Sequence, residues 1–222
     1  MLGLHVTVPV ACFRKGFARE YLETEEVPPP ATCYGFLLSL VGEVDRNKHV
    51  GCRVSVGLVS ETRTSVVLRT IWRVKTKPLG SSGNTKPDYQ QLLTGHSPEM
   101  PFINLVIWFD STNETANPNL EARVKGALKN PSEVSRFGGL SLGESTHLVD
   151  SVALLESELH KTLSAYTYKC FELSEKGRIT LPVWVDHVSS RNTCYVTGNL
   201  VAKVFATPEL HSLPTIQPQG LA

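Results

Sequence analysis

The order of elements along this 222-residue chain predicts an α+β fold: a ferredoxin-like β-α-β-β-α-β plan with an inserted β-hairpin and a small C-terminal β extension. Three observations predict it. The first ten residues alternate with a period of two. A stretch of helical period follows three consecutive prolines. An apolar run, FINLVIWFD (102–110), precedes a second amphipathic segment.

Each element follows from local chemistry. Leu2, Leu4, Val6, Val8 and Val10 share one face of the first strand and His5 lies on the other. Pro9 cannot donate to a ladder, so the strand bends or becomes an edge there. The segment FRKGFAREYLETEE (13–26) is a loop whose Arg14, Lys15 and Arg19 form a basic group. Pro28, Pro29 and Pro30 fix φ and disfavour helix before them. Thr32 is then placed to cap a helix in which Cys33, Phe36, Leu37, Leu40, Val41 and Val44 recur at helical spacing. Gly35 leaves the first turn open to a close neighbour. The free amides of this terminus make an anion site. The alternative is a plain core helix with a stiff entry.

CRVSVGLVS (52–60) and SVVLRTIWRVK (65–75) read as two strands. In the second, Arg69, Arg73 and Lys75 share a face with Ile71 on the two-residue repeat of about 7 Å, which suits successive phosphates. TKPLGSSGNTKPDYQQLLTG (76–95) has no core pattern and is expected to be a loop, so residues 62–100 form a protruding arm. FINLVIWFD, apolar on both faces, is a central strand. Pro118 is placed to open the helix LEARVKGALKN (120–130). RFGGLSLGES (136–145) is a glycine loop, and THLVDSVALLES supplies the next strand. RITLPVWVDHV (178–188) and NTCYVTGNLVAKVFA (192–206) are two more. The reading divides the chain into a main domain, 1–150, an extension, 151–206, and a proline-rich tail, 207–222, expected to be disordered.

Composition excludes several classes. No apolar run is long enough to span a bilayer and the start lacks a basic leader, so a cytoplasmic, membrane-independent protein is expected. The five cysteines form no C-x-x-C pair, and neither a disulfide framework nor a zinc ribbon is supported. No cofactor or metal is expected. Net charge is +1, but residues 53–86 carry +6 and the remainder −5. A basic strip on a mildly acidic body suits a docked polyanion. The alternative is a solvated hairpin.

RNA-recognition (RRM-like) modules share this architecture. PPPATCYGFLLSLVGE, LRTIWRVK, NTKPDYQQLL and RFGGLSLGES, in this order, resemble the CRISPR-associated "Cas five" family, RAMP-type subunits of type I Cascade complexes, closest to a type I-B-like branch. The resemblance covers the chain to about residue 190. It implies a subunit that caps the 5′ handle of the crRNA, holding it between the RAMP core, the first helix and a hairpin thumb. It implies as partners a backbone subunit ("Cas seven" family), a large subunit ("Cas eight" family), target DNA near the PAM and, in a transposon-encoded version, transposition proteins. Guide base pairing, not this subunit, would read the target.

Under this resemblance Tyr34 would stack on or bond to RNA, with packing as its alternative, and Thr32 would cap or touch phosphate. Arg69, Arg73, Lys75 and Lys77 would meet phosphates, and Gln90 and Gln91 would bond base edges or the neighbouring subunit. Arg136, Gly138, Gly139 and Ser141 would let RNA approach the loop backbone, with Phe137 in the core. Arg63 reads as a solvated turn residue and His147 as a structural histidine. Some family members cleave the precursor with a Tyr, Lys and His set. Here Lys48–His49 lies beside the first helix rather than after the thumb, and His96 has no neighbouring lysine, so no catalysis is expected. Alternatives are a processing endoribonuclease, a backbone-type RAMP subunit, or a scaffold whose basic strip meets acidic protein.

Overall fold

The computed structural model of the protein describes residues 1–16, 21–73, 84–188 and 191–218, with the side chains of 1–16, 21–69, 89–188 and 191–218. The alternating start forms β1 (Leu2–Val8), continued by the short β2 (Val10–Ala11). Next come β3 (Tyr21–Leu22), α1 (Pro30–Leu40), β4 (Arg53–Leu58), β5 (Thr62–Arg73), β6 (Asn84–Gly95) and β7 (Ile103–Asp110). After α2 (Leu120–Lys129) the chain adds β8 (Ser151–Leu154), α3 (Ser157–Leu163), β9 (Thr167–Leu173), β10 (Ile179–Trp184) and β11 (Cys194–Val204).

One seven-stranded sheet runs β10-β11-β9-β4-β7-β1-β8, antiparallel throughout. All eight residues of β7 are buried, as its apolar run requires of a strand flanked on both sides and covered on both faces. On one face Leu4, Val6 and Val8 pack with Leu37 of α1 and with Leu120 and Val124 of α2. On the other, Val106 and Trp108 meet Leu163, Tyr168, Phe205 and Leu213. Each fully buried Leu or Phe contributes about 1.5–3 kcal/mol. β8 pairs with β1, so a boundary at 150/151 separates β8 from the strand it is bonded to.

α1 is stopped at both ends. Pro29 and Pro30 open it, and Gly42, at φ +67°, closes it with Gly42 N–H on Ser39 O and Glu43 N–H on Leu38 O. This closure ends the apolar stripe early: Val44, expected on it, lies beyond the cap and is 94% exposed. Thr32 is no cap. The helix starts three residues sooner, with Pro29 in the cap position, because proline tolerates the first helical position that Pro30 takes. α2 begins at Leu120, capped by the Asn119 side chain accepting Ala122 N–H; Pro118 precedes the cap rather than opening the helix.

Residues 84–95, expected to be loop, form β6, which pairs with β5 along twelve register positions from Thr62↔Gly95 to Arg73↔Asn84. Long-range pairing overrode the turn-rich composition. β2 and β3 lie along β6 only at 93–94 and 89–90, so Pro87 stands beyond them, where its missing N–H costs no rung on that side. Among the described residues β5 pairs only with β6, leaving its outer edge open.

The tail is also corrected. Ile216 and Leu213 are buried, Ile216 N–H donates to Cys52 O at 2.8 Å, and Val54 N–H donates to Pro214 O at 2.9 Å. β9 covers only Gly57 and Leu58 of β4, so the tail occupies the remaining edge near Arg53. α3 and β9 were not anticipated. No described helix is long and apolar enough to cross a membrane.

Candidate nucleic-acid interface

A cleft of about 790 Å³ opens beside α1. Ala31, Thr32, Gly35 and Ser39 give one wall, Gly42, Glu43, Val44 and Arg46 the floor, and residues 135–137 with Ser141 and Gly143 the opposite wall. Val183, Trp184, Val185 and His187 close the end. Thus Thr32 lines one space with Arg136 and Ser141 of the glycine loop, far from it in sequence, and Gly138 and Gly139 belong to the same wall loop and are exposed. Gly138 adopts φ +74° with nothing near a notional Cβ, which leaves room for a ligand at the backbone.

Tyr34 is placed differently from its expected role. It is 2% exposed, its hydroxyl donates to Arg46 O at 2.7 Å, and its ring leans on Trp184 at 6.5 Å. Burial raises its hydroxyl pKa well above the ordinary range. It supports the cleft from beneath. Phe137, expected in the core, is instead fully exposed on the wall loop, next to Gly138 with its φ of +74°. The helix terminus is a weaker anion site than expected. Pro30 has no N–H, and Thr32 and Cys33 donate to Pro29 O, which leaves Ala31 of these four to offer an amide.

Two further cleft residues escaped the sequence reading. The Arg46 guanidinium lies over the Trp184 ring at 4.5 Å and donates to Val185 O at 2.8 Å. No period or motif links residue 46 to 184; only the fold brings them together. Glu43 on the floor is tied to Lys48 at 2.8 Å and to Arg123, and Lys48, the Asp45 backbone N–H and Arg123 hold its carboxyl at about 2.

The remaining predicted residues scatter. Arg14 and Lys15 edge a separate, smaller cleft with Thr180, Pro182 and Tyr195, and Lys15 faces Glu23 at 3.6 Å. Arg69 is committed: its Nη1 donates to Gln90 Oε1 at 2.6 Å and to Glu144 Oε2 at 2.9 Å. Gln90 is buried and so offers no edge to a base, while the half-buried Gln91 accepts Thr24 N–H through Oε1 at 3.0 Å. Burial follows from β6 lying between β5 and β3. Arg63 is exposed on β5 rather than in a turn. Arg73 lies at the described end of β5, and Arg19, Lys75 and Lys77 lie outside the described residues.

The histidines divide similarly. His49 is fully buried, with Nε2 accepting from Arg123 at 2.9 Å and Nδ1 at 2.5 Å from Glu114. Because arginine can only donate, Nε2 is the acceptor and Nδ1–H donates to the Glu114 carboxylate. His147 is the structural residue expected: Nδ1 accepts Cys12 N–H at 3.1 Å, and burial lowers its pKa. His96 is exposed.

No family model matches the chain. CRISPR-associated protein Cas5 of Myxococcus xanthus (strain DK1622) is 47% identical over 219 residues, covering 97% of both chains. Among solved structures, a chain of a CRISPR RNA-guided surveillance complex superposes with a TM-score of 0.61 at 12% identity, over 95% of each chain. A Cas protein crystal structure reaches a TM-score of 0.48 at 12% identity, over 90% of this chain and 93% of its own. The match to the Myxococcus protein runs nearly end to end, and on it the chain belongs to the Cas5 family of CRISPR-associated proteins.

Proposed function

We propose that this Cas5 protein is a Cascade-type subunit whose α1 cleft holds the 5′ handle of crRNA at one end of an RNA-guided surveillance complex. The observation that carries this reading is convergence. Thr32, Arg136 and Ser141, each expected to face RNA, line one cleft together with Arg46, beside a fully exposed Phe137. A π-face, guanidinium groups and hydroxyls are the chemistry that single-stranded RNA offers partners for. In this reading β8-β1-β7-β4 with α1 and α2 is the ferredoxin-like RAMP module, and β5–β6 is a thumb directed at the backbone subunit. The large subunit and PAM-proximal DNA lie on the other side, in a cytoplasmic complex serving defence or transposon targeting.

The test is co-expression with the remaining subunits and a guide array, followed by measurement of crRNA retained across a salt series. The double variant Arg136→Ala, Phe137→Ala is expected to lose about ten-fold or more in retention, from one phosphate contact and one stacking surface. Unchanged retention would refute the placement. We further propose that the chain binds without cutting. His49 is sealed between Glu114 and Arg123, and His147 is bonded to the backbone, so neither is positioned to take a 2′-OH proton. Incubation with a repeat RNA hairpin should leave it intact; scission abolished by His96→Ala would reverse this view.

A further inference from the structure

The glycine loop is held at three points. Gly143, at φ +100°, presses against Cys12, where a Cβ would stand 2.7 Å from the Cys12 carbonyl oxygen. His147 accepts the Cys12 amide. Both contacts attach the loop to the body. The third comes from elsewhere: Glu144 receives Arg69 of β5 at 2.9 Å. Arg69 is itself held by the buried Gln90 on β6, which aims the guanidinium at the loop. Between these points residues 140–149 fold on themselves, with Leu142 N–H on His147 O at 3.0 Å and Val149 N–H on Leu140 O at 2.9 Å. The preceding residues, 135–137, with Ser141 and Gly143, form the cleft wall.

We infer that Arg69 is a positioning residue that fastens the β5–β6 hairpin to the glycine loop through Glu144, and so couples occupancy of the hairpin to the shape of the cleft. Its consequence for RNA rests on the reading of the cleft given above; the fastening itself does not. A partner that seizes the hairpin favours one setting of the loop, and a strand in the cleft favours the same hairpin setting by the same factor. A free phosphate ligand would show one uncommitted cation. Here the cation already has a carboxylate, and its second partner is buried.

The fastening is tested on the purified full chain without RNA, by hydrogen exchange at the Leu142 and Val149 amides. Arg69→Ala and Glu144→Ala should each speed exchange by up to about five-fold, the range open to a partly exposed ion pair. The double variant should be no faster than either single, and Arg69→Glu with Glu144→Arg should restore protection. Unchanged exchange in Arg69→Ala overturns the proposal. In the assembled complex both single variants should weaken crRNA retention alike, with the salt slope unchanged. A slope reduced by about 0.7 in Arg69→Ala, with retention strengthened in Glu144→Ala, would instead make Arg69 a phosphate ligand and overturn it. If Arg136→Ala leaves retention intact while Arg69→Ala still loosens the loop, the fastening stands and the RNA reading of the cleft falls.

Discussion

Glu43 shows how one residue serves both α1 and the cleft. It follows the Gly42 closure and binds Lys48 and Arg123, the latter also donating to Val41 O at 3.1 Å. Lys48 is thereby paired with the carboxylate that follows the helix closure. The carboxyl sits at about 2 against an ordinary 4.5, so its ionised form contributes stability that is fully present above pH 4.5 and is lost as pH falls towards 2. Wild type should therefore be more stable than Glu43→Gln at pH 6, with the gap closing between pH 4.5 and 2 in denaturant titrations. A constant gap would show that the ion pairs contribute nothing. At this scale the sequence was legible for type but not for commitment: arginine at 69 and tyrosine at 34 were visible, but the partners that occupy them, Glu144 and the Arg46 carbonyl, were 75 and 12 residues away.

Among the elements, strongly patterned ones were readable. β1, α1, β4, β7 and α2 emerge from periodicity because each buries a regular set of side chains. β6 and the tail were misread because their order comes from pairing, which composition does not encode. The tail makes the point testable. Ile216 is fully buried and its backbone bonds to Gly51 and Cys52, so Ile216→Ala should cost about 2–5 kcal/mol and lower the melting temperature. A disordered tail would give no change. α3 and β9 escaped because their apolar positions, Leu163, Tyr168, Cys170 and Phe171, are too few and too evenly mixed with polar residues to show a period.

For the molecule as a whole, the sheet is continuous from β8 to β10, and Gly57 admits the Tyr168 ring where β4 meets β9; a Cβ there would stand 2.4 Å from the ring. The segment read as an extension is thus bonded into the main sheet. Unfolding followed by near-ultraviolet signals, from Trp108 and Trp184 among others, and by far-ultraviolet circular dichroism should coincide. Separate midpoints would show that the extension melts alone. The charge asymmetry, clear in sequence, proved spatially divided: Arg53 lies against the tail at the Leu210 carbonyl, while Arg69 is neutralised by the loop.

The outer edge of β5, unpaired among the described residues, has a practical consequence. It offers a ladder of backbone donors and acceptors beside Val66 and Leu68, 52% and 63% exposed, with no lysine, proline or bulge among residues 62–69 to discourage a second strand. A copy produced by itself carries an adhesive rail. Co-production with whatever naturally shields that rail is the route to material that stays dispersed.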